Sequence, residues 1–296
     1  MGKTLQYKVA GFIFRIRFES EGNDECLLPS FTPFVDTSEG KPALFTLKVD
    51  DTFRPDHRGK EVGQFDTGNG TNGVYLLEDG GYQVMMSDVY GRRCCLMQAS
   101  ADFSEGTVAL RGIQTMRQFG LNNAVMMMFA FASADKNTLL MHASVIRYDG
   151  AGYLFLGVSG TGKSTHTANW LKYIEGTDLM NDDNPVVRVV DGGVVVYGSP
   201  WSGKTPCYRN IEAPVGGFVQ LKQAPFNRIR QMSVIETFTA LLPSCSVMKW
   251  DRRDYIGVCD TVNRVMQCTH TFFLENLPDE AAVRLSFDTL TKAHSR

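Results

Sequence analysis

The sequence predicts an α+β fold in two parts: a mainly antiparallel β domain over residues 1–113, then a P-loop nucleotide-binding domain over residues 114–296. Three observations lead there. Short segments of alternating apolar and polar residues, separated by Gly-containing turns, fill the first part. Near Ile113 the pattern changes to strands alternating with helices. Residues 157–164 read Gly-Val-Ser-Gly-Thr-Gly-Lys-Ser, which meets G-x-x-x-x-G-K-[ST] at every fixed position.

In the first part, residues 6–18 alternate as a strand, with Tyr7, Val9, Gly11, Ile13 and Arg15 on one side and Phe12, Phe14, Ile16 and Phe18 on the other. Further strands are expected at 43–49, 74–77, 82–87, 92–99 and 107–111, with Glu78-Asp79-Gly80-Gly81 and Tyr90-Gly91-Arg92 as turns. The charged, Gly-containing stretch 52–73 reads as loops around one short strand, with His57 among Arg54, Asp56 and Arg58 in solvent.

The second part opens on a helix over 116–133. Its Met126-Met127-Met128, Phe129 and Phe131 read as core filling. Strands come next at 139–147 and 153–157, then a helix at 163–174. Val186–Val190 and a strand at 194–197 flank Asp191-Gly192-Gly193, a hairpin. Another strand is expected at 217–221. Ser233-Val234-Ile235-Glu236 is a capping box opening a helix that ends near Pro243. A helix at 254–269, a strand at 271–274 and a last helix from Asp279 complete the chain.

Composition bounds the function. Lys+Arg 30 against Asp+Glu 32 gives a net charge of −2, which argues against a broadly basic nucleic-acid surface. Mean hydropathy is −0.15, and the longest apolar run, 124–132, is too short to cross a bilayer. The N-terminus lacks the apolar stretch and cleavage site of a signal peptide. Seven cysteines, an odd number, fit a reducing compartment. The expectation is a cytoplasmic protein with neither nucleic acid nor membrane as partner. Cys94-Cys95, Cys259, Cys268 and His270 contain no CxxC spacing and read as thiols and a lone imidazole, not metal ligands.

The chemistry is concentrated in 157–164. Glycines let successive backbone N–H groups turn inward around a polyphosphate, and the next helix offers its positive end to the same anion. Gly157, Ser159, Gly160, Thr161, Gly162, Lys163, Ser164 and Thr165 are thus expected to bind a nucleoside triphosphate, ATP first among them. Lys163 adds a full charge near the β- and γ-phosphates, and the Ser164 hydroxyl can ligate Mg²⁺. Asp182-Asp183 supply two carboxylates, one for the metal and one to accept the proton of an attacking hydroxyl. Phosphoryl transfer also wants cations around the moving group, and the loop 200–210, with Lys204 and Arg209, reads as a lid or substrate loop. His142 and His166 read as structural.

His142-Ala143-Ser144-Val145, Gly150, Gly152, the 157–164 loop and Leu179-Met180-Asn181-Asp182-Asp183 together resemble the catalytic domain of HPr kinase/phosphorylase, of the phosphoenolpyruvate-carboxykinase-like P-loop kinases. Pro200-Trp201-Ser202-Gly203-Lys204 and Phe218-Val219-Gln220-Leu221-Lys222 are similar to members outside the strict HPr kinase group. The resemblance spans roughly residues 135–280. It implies a mainly β nucleotide-binding core, Asp182 aligned with the catalytic base, Asp183 with its metal-linked neighbour, Arg209 with the transition-state arginine, and a homo-oligomer. The region holding Ile211-Glu212-Ala213-Pro214 lacks the family's arginine after the Glu, which points away from HPr as substrate and from phosphorolysis.

The reading is an ATP- and Mg²⁺-dependent kinase acting on a hydroxyl, serine foremost, of a protein, peptide or small molecule. Its alternatives are a nucleotide-binding regulator without turnover and a carboxykinase-like enzyme, which would need a second metal held by Lys and His.

Overall fold

The computed structural model describes residues 2–55, 59–66, 70–203 and 205–294. His57 and Lys204 lie outside them. The chain divides into two compact units, Met1–Ser133 and Ala134–Arg296, and large sheets with packed helices make the whole α+β.

The first unit contains β1 (Lys3–Val9), β2 (Phe12–Phe18), β3 (Thr46–Val49), β4 (Lys60–Asp66), β5 (Gly70–Leu76), β6 (Tyr82–Asp88), β7 (Arg93–Ala99), β8 (Glu105–Leu110) and helix α1 (Gln114–Ser133). The strands form one sheet in the order β1-β2-β3-β8-β7-β6-β5-β4. Its pairs are antiparallel except β2–β3 and β3–β8. The run 6–18 is a hairpin, not one strand. Ala10 and Gly11 both take positive φ (48° and 83°), the turn that closes two-residue hairpins, so Tyr7 faces Phe14 across the pair. The stretch 52–73 holds more strand than expected, since β4 and the start of β5 pair there despite its polar composition. A sheet edge tolerates polar side chains on both faces, which hides such a strand from an alternation test.

Helix α1 belongs with this first unit and not with the one after it, because it packs on β6, β7 and β8. Met127, Met128, Phe129 and Phe131 are buried, as core filling requires.

The second unit contains β9 (Thr138–Leu140), β10 (Ala143–Tyr148), β11 (Ala151–Leu156), α2 (Lys163–Tyr173), β12 (Asp178–Asp183), β13 (Val186–Val190), β14 (Gly193–Tyr197), β15 (Glu212–Gln223), β16 (Arg228–Gln231), α3 (Val234–Leu241), α4 (Arg252–Cys268), β17 (Thr271–Asn276) and α5 (Glu280–His294). The order is β12-β10-β11-β15-β14-β13-β9, with β17 on β15 and β16 on β17. The expected strand at 139–147 is two, broken at Met141-His142, and that break shapes the site. β15 is far longer than the expected 217–221, since its first residues pair with β14 and its last with β11 and β17. Pro214, Gly216 and Gly217 disguise it, and the register shift between Gly152 and Tyr153 absorbs them. One sheet face is covered by α3 and α4 around Leu154, Leu156, Phe218 and Val262. The other is covered by α2 and α5 around Phe155, Trp170 and Leu290. His166 is structural, as expected. It is buried, its Nε2 lies 3.1 Å from Ser286 Oγ, and burial lowers its pKa to about 4.

Asp254, in the first turn of α4, is a strained element of this core. It is fully buried, accepts the Met248 N–H at 2.5 Å on one carboxylate oxygen and has no partner on the other. Burial raises its pKa to about 7. An acid raised by folding is stabilised while protonated, so wild-type stability falls as pH rises between about 4 and 7. Asp254→Asn removes the ionisation. It should leave the melting temperature nearly unchanged at pH 4.5 but raise it at pH 8, by about 5 °C for roughly 2 kcal/mol. An equal shift at both pH values in a thermal melt would refute the buried charge.

Candidate functional site

Strand order builds the site. β11 and β12 are each antiparallel to the β10 strand between them, so both run the same way and end at the same sheet edge, where β10 begins. That edge gathers the 157–164 loop after β11, Asp182 and Asp183 at the end of β12, and His142 before β10. Two strand spacings, about 10 Å, separate the loop from the acids, within reach of long side chains.

The loop turns on glycine. Gly157, Gly160 and Gly162 take φ values of 151°, 86° and 97°, which L side chains rarely adopt. At Gly157 a Cβ would also collide with Thr161 Oγ1. Thr161 closes the turn by donating its hydroxyl to Val158 O at 2.8 Å. Gly162 is the N-cap of α2 and offers no side-chain acceptor, so the first-turn N–H groups of that 11-residue helix are uncapped by any side chain. Uncapped donors at the positive end of a helix suit an anion. Ser159, Gly160 and Thr165 sit in this loop and first turn as the motif requires.

Lys163 folds back over the loop. Its Nζ donates to Gly157 O at 2.8 Å and lies 2.9 Å from His142 Nε2. His142 Nδ1 lies 3.0 Å from Asp183 Oδ1. An ammonium has only donors, so Nε2 accepts and Nδ1 carries the proton toward Asp183. Burial lowers the Lys163 pKa, and Asp183 and Asp182 oppose that fall. His142 is therefore more than structural: it bridges the loop cation to a carboxylate.

The two acids differ. Asp182 is buried, at 4% exposure. It accepts Ser144 Oγ at 2.7 Å, Ser164 Oγ at 3.2 Å and the Thr205 N–H at 3.3 Å. Ser144 reaches it because the two residues are cross-strand partners. Asp183 is half-buried, with Oδ1 3.0 Å from His142 Nδ1 and Oδ2 accepting Asn184 Nδ2 at 2.8 Å. Its φ of 136° is a conformation that favours glycine, so the backbone is strained there.

Arg209 is not brought to this edge. Its guanidinium donates to Leu179 O at 2.5 Å and Asp178 Oδ2 at 3.1 Å, at the start of β12, and Arg147 shares the same carboxylate. Three residues of strand, about 10 Å, separate Leu179 from Asp182. The attraction to Asp178, which lies in a charged surface cluster, fixes it there. A different arginine lines a pocket that also reaches the loop. The pocket, of about 520 Å³, opens beside Gly157 and His142, between the sheet face and α3, and is lined by Arg230 and Glu236. Arg230 Nη1 and Nη2 donate to Glu236 at 3.0 and 2.7 Å, and its guanidinium lies over the Phe273 ring. Glu236 also accepts the Ser233 N–H in the expected capping box. No periodicity flagged Arg230, because the four-residue β16 carries it on a short exposed strand.

Among the described residues no group of three or more His, Cys, Asp or Glu side chains is placed to hold a metal ion alone. Among them, too, no helix is long and apolar enough to cross a membrane.

No family model matches the chain, and no curated protein matches it. Among solved structures the chain is similar to the Hpr(Ser) kinase/phosphatase from Coxiella burnetii, at 12% identity and a TM-score of 0.30, over 53% of this chain and 95% of that one. The likeness is a distant structural one.

Proposed function

We propose that the second unit is an ATP- and Mg²⁺-dependent kinase that moves the γ-phosphoryl group to a hydroxyl. One observation carries the reading. A glycine loop with uncapped helix donors, Lys163, His142 and two carboxylates of unlike environment all meet at one sheet edge. Lys163 and the loop N–H groups hold the phosphates. Ser164 Oγ and the Asp182 carboxylate are adjacent hard oxygen donors and fit Mg²⁺, with phosphate oxygens completing its shell. When bound, Mg²⁺ neutralises charge on the phosphates.

The contacts favour a division of labour opposite to the one the resemblance implies: Asp182 for the metal and Asp183 for the base. Asp182 is buried on Ser164, whereas Asp183 is only partly buried and is oriented by His142 and Asn184. Asp183 accepts the acceptor's hydroxyl proton as its oxygen bonds to the γ-phosphorus and the bond to the β-phosphate oxygen breaks, releasing ADP. Arg209 takes no part in this scheme, since Asp178 holds it elsewhere.

The test is turnover. Purified protein is incubated with γ-labelled ATP, Mg²⁺ and protein, peptide and small hydroxyl acceptors, alongside Asp182→Asn. Transfer that needs Mg²⁺ and is lost in the variant is the expected result. Tight ATP binding with no transfer to any acceptor would make the chain a nucleotide-binding regulator instead.

A further inference from the structure

The pocket beside the glycine loop is shaped by one cross-strand row. Asp183, Ala143, Leu156, Gln220, Phe273 and Arg230 are successive partners across β12, β10, β11, β15, β17 and β16. Of this row Gln220, Phe273 and Arg230 line the pocket, together with His142, Gly157 and, from α3, Glu236 and Ala240. The Arg230 guanidinium lies over Phe273 of β17, and β17 is four strand spacings from β12, which carries Asp183, about 19 Å.

The Arg230 end of the pocket is charged and apolar together. Arg230 spends two of its five N–H donors on Glu236, which anchors it and leaves three directed elsewhere. Just beyond, at the start of α3, Val234 and Ile235 are 75% and 77% exposed. A free hydroxy-amino acid is too short: it could not place its hydroxyl at Asp183 and its carboxylate at Arg230 together. At about 3.3 Å per extended residue, 19 Å is about six residues.

Resting on the kinase reading above, we propose that the acceptor is an extended peptide segment lying in this pocket, and that Arg230 selects it by binding a carboxylate about six residues from the hydroxyl that is phosphorylated. Glu236 is a positioning residue that holds Arg230 at the pocket's end.

A library of serine-centred peptides, each with one Asp at a different distance and direction from the serine, tests this with γ-labelled ATP and Mg²⁺. Peptide binding is read in parallel by fluorescence anisotropy with a non-hydrolysable ATP analogue. For the wild type, kcat/KM should peak with Asp about five to seven residues from the serine. Arg230→Ala should lower that peak roughly ten- to a hundred-fold, the worth of a charge-assisted hydrogen bond, and flatten the preference. Arg230→Glu should move the preference to peptides bearing Lys at the same place. Thermal melts of the variants check that they fold. Transfer without an acid preference, or with one that survives Arg230→Ala, overturns the selectivity of Arg230 and leaves the kinase standing. Transfer only to small hydroxyl compounds overturns the peptide and again leaves the kinase. If nothing is phosphorylated, anisotropy still decides: Arg230-dependent binding of the acidic peptides supports the peptide pocket while the kinase reading falls, and its absence removes both.

Discussion

Asp183→Asn should slow phosphoryl transfer by roughly 10²–10⁴-fold, the usual contribution of a positioned general base, and leave ATP affinity in place. The variant is well chosen for this position. Asn has nearly the same size and shape as Asp, so it meets the same backbone strain at φ 136° as the wild-type residue. Its amide oxygen can still accept from His142 Nδ1, which lies 3.0 Å from the wild-type carboxylate, so the Lys163–His142 contact is kept. The ability to take a proton is lost. Asp182→Asn should behave differently, because it strips a negative oxygen donor from beside Ser164 and so raises the Mg²⁺ concentration needed for half-maximal rate. Single-turnover rates across a Mg²⁺ titration separate the two. If Asp183→Asn instead shifts the Mg²⁺ dependence while Asp182→Asn only lowers the saturated rate, the two acids have exchanged roles.

The loop at 157–164 was legible in the sequence because its requirement is local: fixed residues at fixed spacing, after an apolar strand and before a helix. The helix boundaries and the capping box at Ser233 were legible for the same reason. Composition hid the non-local features. His142 gains its importance from lying at the interruption between β9 and β10, a break that a run of apolar residues from Leu139 to Val145 does not announce. Arg209 has the right residue type in a plausible loop, and only the register of β12 reveals that Asp178 captures it. Arg230 is the converse case, an arginine on an edge strand too short to register as a strand. Alternation also failed at Ala10-Gly11, because a two-residue turn keeps apolar residues in step on both sides and makes a hairpin read as one strand. The boundary near Ile113 marked a true change of composition, yet α1 takes its apolar partners from the sheet that precedes it.

Lys163→Ala is the second large effect, and it tests the cradle apart from the chemistry. ATP affinity should fall by more than tenfold, or more than about 1.4 kcal/mol, in a calorimetric titration with Mg²⁺ present. Two losses combine in it. The substitution removes a full charge from the end of the loop, and that charge acts in a half-buried place where solvent screens it weakly. It also removes the donor to Gly157 O and to His142 Nε2, so both acceptors are left for water and the imidazole loses the contact that orients it toward Asp183. The second loss predicts that transfer falls further than binding does: at saturating ATP the variant should still be slow, because the base has lost its support. A variant that binds ATP as tightly as the wild type would mean that the loop holds no polyphosphate, because the motif's one cation would then be idle. A variant that binds weakly but turns over at the wild-type rate once saturated would keep the cradle and dissolve the relay from Lys163 through His142 to Asp183.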